Sequence, residues 1–179
     1  MDRYPLVEFV KVGDYKYSSN DGRFFMFRDY LLEHSEIEYI FMTDLFDVRI
    51  NSLPEPADKL YVMSEPEVNP QTGDDGKWNT ERRWVRAMFR LFGYDGSLIG
   101  KKLFNPGVWG GKRELVLDTL NKLCDRFDKA NPGDANCNML IFNQSMYNDI
   151  GEDNIITGYP LHSVFKGYEK RRDTNFNHK

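Results

Sequence analysis

The chain predicts an α/β fold, a sheet of mainly parallel strands flanked by helices, on three observations. Tyr39–Thr43 is a short run apolar on both faces, as a central strand covered by helices on each side requires. Segments with apolar residues at helical spacing lie before and after it, at 23–33, 80–92 and 112–129. Clusters of Gly, Pro, Asn, Asp and Ser separate these runs at intervals short enough for strand–helix alternation.

In chain order, Leu6–Val12 has the β-branched content of a strand, and Ser18-Ser-Asn-Asp-Gly22 supplies turn and helix-capping residues. A helix follows from Arg23 to Glu33, with Phe24, Phe27 and Leu31 on one side and Ser35 as the break. Tyr39–Thr43 is the next strand and ends at Asp44; Pro54 and Pro56 mark a loop, and Lys59–Met63 is a further strand running into Ser64 and Glu65. Asn69–Gly76 is dense in turn formers and reads as an exposed loop. Thr80–Phe92, with Trp84, Met88 and Leu91 between basic residues, is an amphipathic helix that Gly93 stops. Leu103–Gly111 follows, with Asn105-Pro-Gly107 as a loop. It leads into a helix from Lys112 to about Lys129, carrying Val116, Leu120, Leu123 and Phe127, which Asn131-Pro-Gly-Asp ends. Met139–Phe142 is a last apolar segment. One domain over 1–167 accounts for the pattern, with 168–179 as a polar, basic tail.

Composition narrows the functional classes. With 40% hydrophobic, 15% aromatic and 29% charged residues, the chain is an ordinary globular protein rather than a disordered one. The 24 basic and 28 acidic residues leave a net charge of −4, which gives no global attraction for nucleic acid or an anionic membrane. No apolar run approaches the ~20 residues of a membrane span, and the N-terminus lacks the apolar stretch of a signal peptide. Cys124 and Cys137 are compatible with a disulfide or with two free thiols, so the compartment stays open.

In an α/β sheet, ligands bind beyond the carboxyl ends of the strands. Three features should gather there: Asp44 with Asp47, Ser64 with Glu65, and Asn105-Pro-Gly107. Side chains three apart cannot share one face of a strand, but a turn beginning at Asp44 brings both carboxylates together. Two close carboxylates repel unless a cation lies between them, and Mn²⁺ or Mg²⁺ suits such oxygen pairs where phosphate completes the shell. The competing reading is a capping Asp44 with Asp47 paired to Arg49 or a lysine.

These residues resemble those of the GT-A glycosyltransferases, and Phe41-Met-Thr-Asp-Leu-Phe-Asp47 is most similar to the acidic motif of collagen hydroxylysine glycosyltransferase domains. Tyr61-Val-Met-Ser-Glu65 is similar to the next strand of that family, Asn105-Pro-Gly107-Val-Trp-Gly110 to its Asn-x-Gly-x-x-Gly loop, and His162 with Lys166 and Gly167 to its C-terminal segment. The resemblance implies a metal held by Asp44, Asp47 and His162, and a nucleotide-sugar donor, a UDP-sugar before others, contacted by Arg23, Asn105, Gly107 and Lys166. It also implies an acceptor hydroxyl on a glycan, protein or small molecule, on the side of Asn143 and Gln144. Golgi or ER lumen follows for a eukaryotic chain lacking its anchor, and the cytoplasm otherwise.

The chain also departs from the pattern. Relatives carry an acidic residue where this sequence has the amides of Asn143 and Gln144, and an amide cannot act as a general base. For an inverting transfer, Glu65 is the carboxylate left to accept the hydroxyl proton. The usual strand and loop for the nucleotide base are also short here, which fits a fragment or a minimal version. Two other classes stay open: a noncatalytic domain of the same fold, and a metal-dependent phosphohydrolase. The latter needs Asp-x-Asp, and this motif has one residue more.

Overall fold

The computed structural model describes residues 8–65, 76–93, 96–163 and 173–178. Among these residues, four α-helices accompany six strands: α1 Ser19–Glu33, β1 Tyr39–Thr43, β2 Val48–Ile50, β3 Leu60–Ser64, α2 Arg83–Phe92, β4 Phe104–Lys112, α3 Arg113–Ala130, α4 Asn138–Ser145, β5 Ile155–Ile156 and β6 Phe176–His178. A π-helical turn, Met146–Ile150, extends α4. Among the described residues no helix is long and apolar enough to cross a membrane.

The helices form where local chemistry favours them. Ser18 caps α1, its Oγ accepting from the Asp21 N–H at 3.3 Å, and Asn131 (φ 45°) closes α3 in the left-handed conformation. Gly93 (φ 62°) closes α2 in the same way. Residues 8–12 form no strand: they are exposed and unladdered, since β-branched content alone does not supply a pairing partner.

The main sheet has the order β1-β4-β3-β5 and is mixed rather than mainly parallel. β4 is antiparallel to both β1 and β3, while β3 and β5 are parallel. It follows that β1, β3 and β5 run in one direction and β4 alone runs against them. The predicted loop at Asn105–Gly107 therefore lies within a strand, β4, which is almost wholly buried in mid-sheet. Pro and Gly disguised it, and a bulge accommodates them: Val62 faces Trp109 but Met63 faces Asn105, so residues 106–108 are extra on the β4 side. At Gly110 the neighbouring strand comes so close that a Cβ would lie 2.2 Å from the Ile40 carbonyl oxygen, which excludes any other residue.

β1 is an edge strand, not a central one, although both its faces are covered. Met42, with the half-buried Ile40, joins Leu60, Val62, Phe104 and Trp109 beneath α1, α3 and α4. Phe24 of α1 lies at the centre of that layer, its ring 5.5 Å from Phe127 and 6.2 Å from Phe142. Tyr39 and Phe41 point the other way, onto Tyr61, Met63, Val108, Leu161 and Phe176. That second face is closed by a small antiparallel sheet of β2 and β6 rather than by helices.

The region read as a basic tail is thus folded over 173–178. Phe176 is fully buried, its ring tilted against that of Phe41 with centres 4.9 Å apart, and β6 pairs with β2 from Val48↔His178 to Ile50↔Phe176. Three residues are too short to display strand periodicity, so only the pairing reveals them.

Candidate functional site

Because β1 and β3 run together against β4, the ends of the first two and the start of the third share one sheet edge. There Thr43 leads into Asp44, Ser64 into Glu65, and Phe104 into Asn105. The ladders continue one step past the strands, with the Asp44 N–H donating to the Gly107 carbonyl (2.9 Å) and the Glu65 N–H to the Leu103 carbonyl (2.8 Å). Backbone pairing therefore fixes the roots of all three side chains. The expected turn follows Asp44 over 45–47, leaving Asp47 exposed at its far end.

Asn105 links the edge together. Its Nδ2 donates to Glu65 Oε1 (2.8 Å), and its Oδ1 accepts from the Gly107 N–H (2.7 Å). Gly107 is required by what surrounds it. A Cβ there would lie 2.6 Å from His178 Cε1, 2.8 Å from Asp44 Oδ2 and 2.9 Å from Asn105 Oδ1, so three polar side chains crowd over its Cα.

Arg23, in the first half of α1, reaches the same place. Its Nη1 donates to Asp44 Oδ1 at 2.5 Å, its guanidinium lies 5.3 Å from the Phe24 ring centre, and its Nε is buried with no hydrogen-bond partner.

His178 is the residue that the sequence did not single out. β2 emerges from the Asp44–Asp47 turn, and the pairing Val48↔His178 sets this imidazole beside that turn. The ring is buried, with Nε2 3.8 Å from Asp44 Oδ2 and Nδ1 3.0 Å from Met63 Sδ. Burial pushes its pKa below the usual histidine value; Asp44 and Asp47 pull the other way without reversing the shift. No local signal marks Phe-Asn-His as a site, because its position comes from a partner more than a hundred residues away.

His162, the expected metal ligand, is engaged elsewhere. Its Nε2 accepts from the Ser64 N–H (3.2 Å) and the Gly158 N–H (3.1 Å), while Nδ1 contacts the Ser163 carbonyl at 2.9 Å. Those partners require the neutral tautomer with the proton on Nδ1. Its ring stitches the loop at 157–163 to the end of β3, and both nitrogens serve the backbone.

Asn143, the expected acceptor-side group, is likewise committed to the backbone. It is fully buried in α4, its Oδ1 accepting from the Phe104 N–H (2.8 Å) and its Nδ2 donating to the carbonyls of Phe104 (2.8 Å) and Met139 (2.7 Å). The amide mimics a strand partner for Phe104. Gln144 is half-buried on the same helix. Lys166 lies outside the described residues.

Metal ligation can be tested on these donors. Among the described residues no three His, Cys, Asp or Glu side chains converge as a ready-made metal site. The Asp44–His178 pair, however, has the span for a shared cation. At 3.8 Å it is too long for a hydrogen bond, whereas two donors each about 2.0–2.2 Å from one ion lie roughly 3–4 Å apart. A carboxylate oxygen with an imidazole nitrogen suits Mn²⁺ better than Mg²⁺, which prefers oxygen alone. The donors thus fit a divalent ion that a ligand's own oxygens would complete.

A cavity of about 470 Å³ lies away from this edge, between the start of β1 and the start of α3, lined by Ile37, Tyr39, Pro56 and Arg113 among others. It brings together no comparable chemistry, and its Lys112 is already ion-paired to Asp58. Cys124 and Cys137 are both buried free thiols, each pushed well above the usual cysteine range by burial. No protein-family model matches the chain, and no curated protein matches it at significant similarity.

Proposed function

We propose that the chain is a metal-dependent glycosyltransferase of GT-A type, moving a sugar from a nucleotide-diphosphate donor, a UDP-sugar before others, to an acceptor hydroxyl. The observation that carries this reading is the gathering of Asp44, Glu65, Asn105 and Gly107 at one sheet edge, with Arg23 and His178 brought in from distant segments.

The roles follow from chemistry. Asp44 and His178, with Asp47 across the turn, would hold Mn²⁺, which when bound supplies positive charge against the donor's diphosphate. His178 takes the place first given to His162, because its Nε2 faces a carboxylate rather than backbone N–H groups. Gly107 leaves room for a ligand close to the backbone, and Arg23 offers a guanidinium fork suited to phosphate. Glu65, oriented by Asn105, accepts the acceptor's proton in an inverting transfer.

Calorimetric titration of UDP, GDP and their sugars, with and without Mn²⁺, tests the proposal in the wild type and in Asp47→Ala. Metal-dependent nucleotide binding that Asp47→Ala loses is the expected result. Binding of no nucleotide under any condition overturns it, and release of phosphate from simple phosphomonoesters would replace it with a hydrolase.

A further inference from the structure

We propose that Arg23 is a positioning residue that makes metal and diphosphate binding depend on each other, by holding Asp44 until a diphosphate draws its guanidinium away. The inference rests on the transferase reading above and deepens it at one contact.

The contact is short and partly shielded. Arg23 Nη1 and Asp44 Oδ1 are 2.5 Å apart, with side chains 19% and 33% exposed, so water screens the pair less than it would a surface ion pair. The other oxygen of Asp44 faces His178. One carboxylate thus serves a fixed cation on one side and the candidate metal position on the other. A divalent ion arriving alone meets a carboxylate already neutralised and a positive charge beside it. Both conditions weaken its binding.

Arg23 is also built to change partners. Its neighbour Phe24, fully buried and stacked on Phe127 and Phe142, fixes this turn of α1, while the guanidinium itself lies 5.3 Å from the Phe24 ring centre, so a change of partner moves the head group and not the helix. A guanidinium carries five N–H donors, and Asp44 accepts one of them. The buried Nε–H has no hydrogen-bond partner, which leaves donor capacity for a larger anion. A diphosphate offers several acceptor oxygens in the geometry that arginine matches best. When it takes the guanidinium, Asp44 regains its full charge for the metal, and the added anion balances both cations. Metal and diphosphate then bind cooperatively, with equal and reciprocal effects on each other's affinity.

The test measures affinities rather than turnover: Mn²⁺ is titrated alone and with saturating UDP, and UDP with and without Mn²⁺, by calorimetry. In wild type, UDP should tighten Mn²⁺ binding about tenfold or more. Arg23→Gln should bind Mn²⁺ alone more tightly than wild type does, and its coupling should fall below about threefold. Asp44→Asn releases Arg23 from the other side, so metal-free UDP should bind it more tightly than wild type, an arm that holds even if Arg23→Gln fails to fold. Unchanged Mn²⁺ affinity and coupling in a folded Arg23→Gln, or unchanged or weaker metal-free UDP binding in Asp44→Asn, overturns the coupling. Mn²⁺-dependent UDP binding that Arg23→Gln leaves unchanged overturns the role of Arg23 alone, whereas wild type that binds neither Mn²⁺ nor UDP overturns the transferase reading itself.

Discussion

Asn143→Ala offers the clearest separation of structural from ligand-binding amides. Asn143 satisfies both the N–H and the C=O of Phe104, a residue 1% exposed at the start of β4, where β3 pairs on one side (Ser64↔Phe104) and β1, whose ladder ends at Thr43↔Val108, no longer reaches the other. Truncation to alanine leaves two buried backbone groups without partners, at about 1–3 kcal/mol each, so the loss is about 2–6 kcal/mol. The third bond, to the Met139 carbonyl, adds little because that carbonyl sits within α4 and already has a helical partner. For a chain of this size about 4 kcal/mol lowers Tm by about 8–16 °C. Urea unfolding followed by circular dichroism measures the free energy, and a thermal scan checks the shift. Asn143→Asp should be comparably damaging, since an ionised carboxylate cannot donate to either carbonyl. A loss under about 1 kcal/mol in Asn143→Ala would refute the backbone-mimic role, because no buried polar pair can be orphaned so cheaply.

Four further outcomes are expected. His178→Ala should abolish Mn²⁺-dependent nucleotide binding in a folded protein, while His162→Ala should lower Tm through the lost bonds at Ser64 and Gly158; calorimetry and melting compare the two. Gly107→Ala should weaken UDP binding at least tenfold, about 1.4 kcal/mol, because its Cβ displaces His178, Asp44 or Asn105. Cys124 and Cys137 should stay inert to a thiol reagent at neutral pH in the native state and react once urea unfolds the chain, since burial holds both thiols protonated. Asp21, buried beneath the Cys137 N–H, has its pKa raised by burial against the opposing pull of its hydrogen bonds. The folded state therefore holds that proton more tightly than the unfolded one. The resulting cost is absent below the ordinary value of 3.8 and grows as pH rises through the raised one, so Asp21→Asn should remove that part of the pH dependence in urea titrations.

Sequence by itself determined what depends on neighbours along the chain. Helical spacing of Phe24, Phe27 and Leu31, and of Val116, Leu120, Leu123 and Phe127, located α1 and α3 to within a few residues. The apolar run at Tyr39–Thr43 implied a strand with both faces covered, which holds although the strand lies at the sheet edge and one cover is the β2–β6 sheet rather than helices, and the turn after Asp44 is present as expected. The gathering of Asp44 and Glu65 at one edge was likewise legible, since each follows an apolar strand; Asn105 was expected there as part of a loop and stands instead at the start of β4.

Tertiary structure decided what depends on partners distant in sequence. The Asn-Pro-Gly of β4 has the local chemistry of a turn, and only pairing on both sides, with a bulge to absorb Pro106, makes it a strand. Asn143 looks like a ligand-binding amide until Phe104 is placed beside it. Neither imidazole reveals its task from its neighbours: His162 is spent on backbone N–H groups brought in by β3, and His178 reaches Asp44 only because β6 pairs with the strand that leaves the aspartate turn. Periodicity records which face of an element is buried, not which element buries it, and the cluster around Asp44 forms where two such unrecorded contacts meet.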